Sequence, residues 1–168
     1  MSQLSTSIFA QAKKYLSPNQ AQLLTDVETV LERLQKFDHI SDYSFLVAPI
    51  SKAYEGYLKD FFLELKIIDQ YSYDSDRFRV GKTLNPSLRY KRFSVFQKLS
   101  ELDSHGEELA EQLWDAWKHG RNEIFHYFPN NLHNINREDA ENRIYLLLNS
   151  IIKSGQFRHA NSEGIDLL

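Results

Sequence analysis

The sequence contains no cysteine, which excludes disulfide bonds, thiolate metal sites and a cysteine nucleophile. It also contains no run that approaches the roughly 20 apolar residues of a membrane span. Residues 1–14 lack the apolar core of a secretory signal. These absences predict a soluble protein in the reducing cytoplasm that has no membrane partner.

Helix-breaking residues are scarce as well, with six glycines and four prolines in 168 residues. Apolar residues recur at spacings of three and four, which is the period of helices that bury one face. An apolar content of 42%, with 13% aromatic residues, is enough for a hydrophobic core. The sequence therefore predicts an all-α fold, a helical bundle in one compact unit.

Three helices are predicted in the first part of the chain. The first covers residues 4–15, and a capping box formed by Ser17 and Gln20 starts the second. The third covers residues 43–68 and restarts or kinks at Pro49. The second helix should bury a stripe formed by Leu23, Leu24, Val27, Val30, Leu31, Leu34 and Phe37.

The middle of the chain predicts a long loop and two further helices. Residues 69–87 are rich in polar residues, glycine and proline and predict a loop, and loops of this length are often functional. A short helix over residues 88–99 follows. A second capping box, Ser104 with Glu107, starts the next helix, which Gly120 interrupts.

The last predicted helix begins with Asn136 as its cap and ends at Gly155. The remaining residues have no apolar periodicity and predict a loose tail. The chain is thus divided into a helical pair at residues 1–40, a main helical domain at 41–155 and a tail at 156–168.

A basic segment interrupts a chain whose net charge is -3. Between residues 77 and 98 there is no acidic residue, and aromatic residues alternate with the cations. Such a segment can bind RNA, with bases stacked on rings and phosphates on cations. It can equally be an amphipathic segment with solvated cations. The predicted RNA-binding residues are Arg77, Arg79, Lys82, Arg89, Lys91 and Arg92.

An arginine and a histidine, Arg121 and His126, stand five positions apart late in the chain. Histidine titrates near neutral pH and can transfer protons, while arginine can hold a phosphate and stabilise its developing charge. On an ideal helix the two side chains point about 140° apart, whereas Asn122 and His126 share a face. Arg121 must therefore reach round the helix, follow a break at Gly120, or act across a dimer axis.

This Arg-x4-His motif resembles that of the HEPN superfamily. Two further features agree: Asn122 follows the arginine, and the run Lys52-Ala53-Tyr54-Glu55-Gly56-Tyr57-Leu58 is similar to a helix in the dimerisation domain of ribonuclease LS type toxins. The run Phe125-His126-Tyr127-Phe128 extends the likeness. The resemblance covers residues 43–155.

The resemblance implies a HEPN-like bundle that dimerises through its motif helices, so that two motifs meet in one cleft. It implies an endoribonuclease that cuts single-stranded RNA without a metal or other cofactor, through Arg121, His126 and Glu55, with Asn122 in support. Such an enzyme would be a toxin or a phage-defence effector restrained by an antitoxin. A single Glu123–His126 pair is too few ligands to predict a metal site.

Two other functions fit the same residues. The chain can be a catalytically silent HEPN-fold module that dimerises and binds RNA, a nucleotide or a protein. It can also be an antitoxin or scaffold subunit of a larger enzyme. A scaffold would tolerate alanine at Arg121 and His126, whereas a ribonuclease would lose its activity.

Overall fold

The computed structural model describes residues 4–34, 40–125, 129 and 133–165, with side chains described as far as residue 158. Within these ranges the chain forms helices and turns and contains no β-strand, which confirms the all-α class. No helix in these ranges is both long enough and apolar enough to cross a membrane.

The described residues form eight α-helices, a 3-10 turn and a π-turn. Numbered in chain order, the helices are α1 (Thr6–Lys13), α2 (Pro18–Leu34), α3 (Ser44–Glu64), α4 (Gln70–Asp74), α5 (Val80–Thr83), α6 (Val95–Ser100), α7 (Gly106–Trp117) and α8 (Arg137–Ile165). The 3-10 turn is Pro86–Leu88, and the π-turn, Lys118–Asn122, follows α7 directly.

Helix α3 is the central element of the fold. It is packed mainly against α2 and α8, and its apolar residues point in several directions, as expected of a helix surrounded by others. It runs through Pro49 without interruption, so the predicted restart at that residue is not observed. Its fully buried side chains include Leu46, Ile50, Tyr54, Tyr57, Leu58, Phe61 and Phe62.

Helix α3 ends four residues before the predicted boundary, in a left-handed turn at Lys66. Lys66 has φ 57°, and its N–H donates to the Leu63 carbonyl at 2.9 Å. The next N–H, of Ile67, donates to the Phe62 carbonyl at 2.9 Å. These two bonds form a Schellman motif, here with a lysine at the position that usually holds glycine.

The predicted start of α2 is confirmed, whereas its buried stripe is only partly correct. The Ser17 N–H donates to Oε1 of Gln20 at 3.1 Å, and the Gln20 N–H donates to Oγ of Ser17 at 3.4 Å. Leu24, Val27 and Leu34 are buried, but Val30 is 39% exposed and does not belong to the core. Phe37 lies outside the described residues.

Residues 69–94 differ from the predicted loop and helix. The loop contains α4, α5 and the 3-10 turn, whose short lengths leave no apolar periodicity to detect in the sequence. The helix predicted from residue 88 begins only at Val95, where Oγ of Ser94 accepts a hydrogen bond from the Gln97 N–H at 3.1 Å. The turns before it keep the basic segment close to α7.

The capping box predicted before α7 is wrong. Helix α7 begins at Gly106, and its N-cap residue, His105, makes no side-chain capping bond. Instead, the carboxylate of Asp103 accepts a hydrogen bond from the His105 N–H at 2.8 Å. A methyl group on Gly106 would lie 2.2 Å from the Leu99 carbonyl, so this start needs glycine for close approach to α6.

The predicted start of α8 is confirmed and its predicted end is wrong. The Asp139 N–H donates to Oδ1 of Asn136 at 2.8 Å. The helix does not end at Gly155 but continues to Ile165, so residues 156–165 are helical rather than loose. The predicted inward face is buried: Ala140, Ile144, Leu147, Leu148 and Ile151. The division into domains 1–40, 41–155 and 156–168 stays a prediction.

Candidate functional site

The motif arginine lies in the π-turn, at the point where α7 stops being a regular α-helix. The N–H of Glu123 donates to the Lys118 carbonyl at 3.3 Å, five residues back instead of four. The predicted break at Gly120 is therefore a π-turn that contains Gly120. π-Turns of this kind change the direction of the following side chains and occur often at functional sites.

Side chains from α3 and α8 hold the π-turn in place. The buried hydroxyl of Ser51 donates to the Gly120 carbonyl at 2.9 Å and lies 3.0 Å from the Val47 carbonyl. From the other side, Nη1 of Arg143 donates to the His119 carbonyl and lies 3.1 Å from the Glu123 carboxylate. The position of Arg121 is thus set by two helices that are distant in sequence.

Gly120 allows the π-turn to lie directly on α8. A methyl group at Gly120 would lie 2.5 Å from Cγ and Cδ2 of Leu147. Gly120 and Leu147 are both buried. A larger residue at position 120 would push the turn, and Arg121 with it, away from the core.

The guanidinium of Arg121 is held at the protein surface by two aromatic rings and a carboxylate. It lies 5.0 Å from the centre of the Trp117 ring and 5.2 Å from that of Phe125. Its Nη2 lies 3.8 Å from Oε2 of Glu55, with about a third of each side chain exposed. An exposed ion pair at this distance is weak, so stacking orients Arg121 while its charge stays available to a ligand.

Arg121 and Glu55 line a pocket of about 270 Å³, which we call the cationic pocket. Arg79 and Lys82 come from the basic segment, Arg79 just before α5 and Lys82 within it, and both line this pocket. The Arg79 guanidinium also donates to the carbonyls of Asp76 and Phe78. Gly81 makes the approach of α5 to α7 possible, because a methyl group there would lie 2.5 Å from Nε1 of Trp117. The polar residues of the cationic pocket are Glu55, Arg79, Lys82, Asn85, Arg121 and Asn122.

Only part of the basic segment belongs to the cationic pocket. Arg89, Lys91 and Arg92 line a different pocket of about 330 Å³, and Arg77 is exposed outside both pockets. Arg89 is already engaged, because its Nη1 lies 2.9 Å from the Glu107 carboxylate. The sequence alone cannot separate these two groups, since the turns between them depend on tertiary packing.

The aromatic residues of the basic segment also divide into two kinds. Phe96 belongs to the core and Phe78 is half-buried against it, so neither presents a free face to a base. Tyr90 is 90% exposed, and Phe93 is partly exposed under the ammonium of Lys82, which lies 4.9 Å from its ring centre. The core position of Phe96 fits an amphipathic segment, and binding of RNA by the exposed residues stays a prediction.

A second pocket, the apolar pocket, lies on the other side of the Glu55–Arg121 pair. Its volume is about 480 Å³, and its walls come from α2, α3 and the end of the π-turn. Glu55 and Arg121 line both pockets and separate one from the other. The residues that line only the apolar pocket are Leu23, Ala48, Pro49, Ser51, Lys52 and Phe125.

The predicted catalytic histidine, His126, lies outside the described residues, although its neighbour Phe125 lines the apolar pocket. His119 is exposed, with its Nδ1 3.0 Å from the Glu123 carboxylate, and lines neither pocket. Across residues 4–34, 40–125, 129 and 133–165, no group of three His, Asp or Glu side chains is arranged to hold a metal ion.

Two buried tyrosines fix α3 behind Glu55. The hydroxyls of Tyr54 and Ser150 are hydrogen-bonded at 2.9 Å, as are those of Tyr57 and Ser154. Burial raises the pKa of Tyr54 strongly, and it raises the pKa of Tyr57 to about 12. The spacing of four residues between the serines on α8 is the only sequence signal for this pair of bonds.

Comparison with protein-family models, curated proteins and solved structures finds no match to this chain. The geometry of the two pockets is therefore the main ground for a functional proposal. It brings together Glu55, Arg79, Lys82, Arg121 and Asn122 from the predicted site and leaves Arg77, Arg89, Lys91 and Arg92 outside it. Asn85 joins the cationic pocket without any sequence signal beyond its place in a predicted loop.

Proposed function

We propose that this chain is a metal-independent endoribonuclease of HEPN type that cleaves single-stranded RNA. The observation that carries the proposal is the convergence of three cations, Arg79, Lys82 and Arg121, around one pocket beside a carboxylate, Glu55. These cations come from segments about 40 residues apart in sequence, and together they outnumber the one acid of the pocket. Such a pocket favours a phosphate group.

The proposed reaction is attack of a ribose 2′-hydroxyl on the adjacent phosphorus. The bond from phosphorus to the 5′-oxygen breaks, and the products are a 2′,3′-cyclic phosphate and a 5′-hydroxyl. His126 either accepts the proton of the 2′-hydroxyl or gives a proton to the leaving 5′-oxygen. Arg121 stabilises the charge that develops on the phosphate, where its fork of donors suits two oxygens.

Glu55 and Asn122 have supporting roles in this proposal. Glu55 lies 3.8 Å from Arg121 and either orients the guanidinium or carries the complementary proton. Asn122 lines the cationic pocket next to Arg121 and can donate its amide hydrogens to a phosphate oxygen. Arg79 and Lys82 hold the neighbouring phosphates of the strand.

The HEPN resemblance adds a homodimer and a regulatory partner to the proposal. Two π-turns facing each other across a two-fold axis would place Arg121 of one subunit near His126 of the other, in a composite cleft. The role would be that of a toxin or a phage-defence effector that an antitoxin restrains. DNA would not be cut, because it lacks the 2′-hydroxyl nucleophile.

The second candidate function is a binding module that holds RNA or a nucleotide without cutting it. The observation that favours it is the composition of the cationic pocket, whose described cations bind a phosphate whether or not a histidine acts beside them. A scaffold or antitoxin subunit would need neither the cations nor the histidine. An assay of RNA cleavage distinguishes these two candidates from the ribonuclease.

The test is cleavage of a single-stranded RNA in excess EDTA by the wild type and by His126→Ala, with the oligomeric state of both measured by sedimentation. We expect a dimeric wild type that forms products with 2′,3′-cyclic phosphate ends. We expect a dimeric His126→Ala that binds the RNA and does not cut it. A wild-type dimer that binds several RNAs and cuts none would contradict the ribonuclease and support the binding module.

A further inference from the structure

We infer that the apolar pocket is a base-binding subsite that prefers guanine, next to the phosphate held by Arg121. This inference rests on the proposed function, because it names the nucleotide that the same site recognises. The two pockets share Glu55 and Arg121, so a group in one lies directly beside a group in the other. A nucleotide has this layout, with an anionic phosphate next to a flat, largely apolar base.

The walls of the apolar pocket suit a flat ring. Leu23 from α2 and Ala48 and Pro49 from α3 provide aliphatic surface, and Phe125 provides an aromatic ring that is 50% exposed. An exposed phenylalanine next to an arginine on its ring is a common platform for a base, because bases stack on both groups. Arg121 lies 5.2 Å from the centre of the Phe125 ring.

The polar groups of the apolar pocket are few. Ser51 is occupied, because its hydroxyl is bound to the carbonyls of Val47 and Gly120. The remaining side chains that can bind a base edge are the ammonium of Lys52 and the carboxylate of Glu55, which are three residues apart on α3 and therefore neighbours on its surface. The Lys52 ammonium can only donate hydrogen bonds, and the ionised Glu55 carboxylate can only accept them.

This donor and acceptor pair matches the edge of guanine better than that of the other bases. Guanine presents O6 as an acceptor beside two donors, N1–H and the N2 amino group. Lys52 can donate to O6, while the two oxygens of Glu55 accept from N1 and N2. Adenine has no acceptor in place of O6, and cytosine and uracil each offer at most one of the two adjacent donors.

The geometry of Glu55 leaves it able to bind a base. Its Oε2 is 3.8 Å from Arg121, which is too long for a hydrogen bond. Among the described residues, the contact with Arg121 is the one polar contact that the Glu55 carboxylate makes. A phosphate bound to Arg121 would replace this weak contact, and the carboxylate would then turn toward the base. Of the two roles proposed for Glu55, this leaves the orientation of Arg121 before the ligand binds.

The test is calorimetric binding of nucleoside 3′-monophosphates to the full-length protein. We expect 3′-GMP to bind about tenfold more tightly than 3′-AMP, since one bidentate base contact gives discrimination of that order. Inosine 3′-monophosphate lacks the N2 amino group and should bind with intermediate affinity. Inorganic phosphate alone should bind weakly to all variants that keep Arg121.

Three variants test whether the preference for guanine arises in the apolar pocket. Glu55→Gln should remove the advantage of 3′-GMP over 3′-AMP, and Ala48→Phe should fill the pocket and reduce all three nucleotides to the affinity of inorganic phosphate. Glu64→Gln is the matched control, a carboxylate on the same helix that is paired with Arg158 away from the pockets, and it should keep the preference. Circular dichroism of each variant checks that α3 is folded.

The outcomes separate this inference from the ribonuclease proposal. Equal binding of all three nucleotides, no binding of any, or a preference that survives in Glu55→Gln would overturn the guanine subsite, even if the protein cuts RNA. A guanine preference that disappears in Glu55→Gln would support the subsite, even if no RNA is cut and the ribonuclease proposal fails.

Discussion

Arg121 is oriented by its neighbours without being neutralised by them. Two rings, of Trp117 and Phe125, lie about 5 Å from its guanidinium, and Glu55 is 3.8 Å away. Stacking reduces the rotamer freedom that a flexible arginine loses on binding a phosphate. The weak ion pair can be exchanged for a bidentate contact to the ligand. Arg121→Lys would keep the charge and lose both the stacking and the fork.

Lys82→Ala should weaken the binding of single-stranded RNA and reduce its dependence on salt. Each cation that contacts a phosphate adds about 0.7 to the slope of log K against log salt concentration for a single strand. The slope of Lys82→Ala should therefore be smaller by about 0.7. Fluorescence anisotropy with a labelled RNA at several salt concentrations measures it.

The matched control for this experiment is Lys153→Ala, an exposed lysine on α8 that lines none of the pockets described above. Its slope should equal that of the wild type. A change of equal size in both variants would mean that RNA binds the general surface rather than the cationic pocket.

The buried tyrosines predict that stability is lost in alkaline solution. Burial raises the pKa of Tyr57 to about 12, against 10.0 for an exposed tyrosine, and raises that of Tyr54 further. Above pH 10 the unfolded chain releases these protons while the folded chain keeps them. These two groups should thus leave the free energy of unfolding unchanged below pH 10 and, above it, each lower it by about 1.4 kcal/mol per pH unit until its folded pKa is reached.

Urea unfolding between pH 9 and 12 measures this loss. In Tyr57→Phe the decline between pH 10 and 12 should be less steep, because one of the two groups no longer titrates. Tyr71→Phe is the control, since Tyr71 is 84% exposed, and its decline should match the wild type. Equal declines in all three proteins would contradict the role assigned to Tyr57.

At the scale of elements, the π-turn is the feature that decides where the site lies. Its backbone depends on Ser51 from α3, on Arg143 from α8 and on the absence of a side chain at Gly120. The sequence predicts a break at Gly120 but not its form, because the turn and its bond from the Glu123 N–H to the Lys118 carbonyl are held by contacts with α3 and α8. The turn places Arg121 at both pockets, and how Arg121 is directed relative to His126 stays a prediction.

Gly120→Ala should destabilise the protein by about 1–3 kcal/mol, which is the usual cost of an overpacked core. Its new methyl group would lie 2.5 Å from the Leu147 side chain. Because the turn carries Arg121, affinity for RNA should fall as well. Unfolding in urea and RNA binding by anisotropy measure the two effects.

Leu147→Ala tests whether this contact is the cause. Combined with Gly120→Ala, it should give a double variant that is more stable than the sum of the two single losses predicts. Purely additive losses would show that residue 120 does not contact Leu147, and would contradict the packing of the π-turn against α8.

The variant Gly155→Ala tests whether Gly155 lies inside α8 in contact with Tyr15 or marks the end of the helix. At a mid-helix position alanine is favoured over glycine by about 1 kcal/mol, but a methyl group here would lie 2.3 Å from the Tyr15 ring. We therefore expect Gly155→Ala to lower the free energy of unfolding and Gly155→Ala with Tyr15→Ala to recover part of it. Stabilisation by Gly155→Ala alone would contradict the contact between α8 and the segment after α1.

The sequence predicts the existence of the helices better than that of the short turns between them. Helices of 12 or more residues, α2, α3, α7 and α8, are each recognisable from a stripe of apolar residues. The turns of α4, α5 and Pro86–Leu88 are too short to have such a stripe. Gly155 is misleading, because glycine ends many helices, whereas here it makes room for Tyr15.

For the whole molecule, a net charge of -3 means that attraction to RNA has to be local. The sequence predicts the residues Glu55, Arg121 and Asn122 and a basic segment, and the fold brings two of the basic residues to them. The sequence does not predict which two basic residues these are, because that depends on how Gly81 packs against Trp117. The dimer, the partner protein and the role of His126 stay predictions.

The most direct measurement is the single-turnover rate of single-stranded RNA cleavage in excess EDTA by the wild type, Arg121→Ala and Arg33→Ala. Arg33 is an exposed arginine on α2 away from both pockets and serves as the control. The proposed function predicts equal rates for the wild type and the control, and a rate for Arg121→Ala that is lower by about 100-fold or more. Equal rates for all three proteins, or no cleavage by folded wild type, would contradict it.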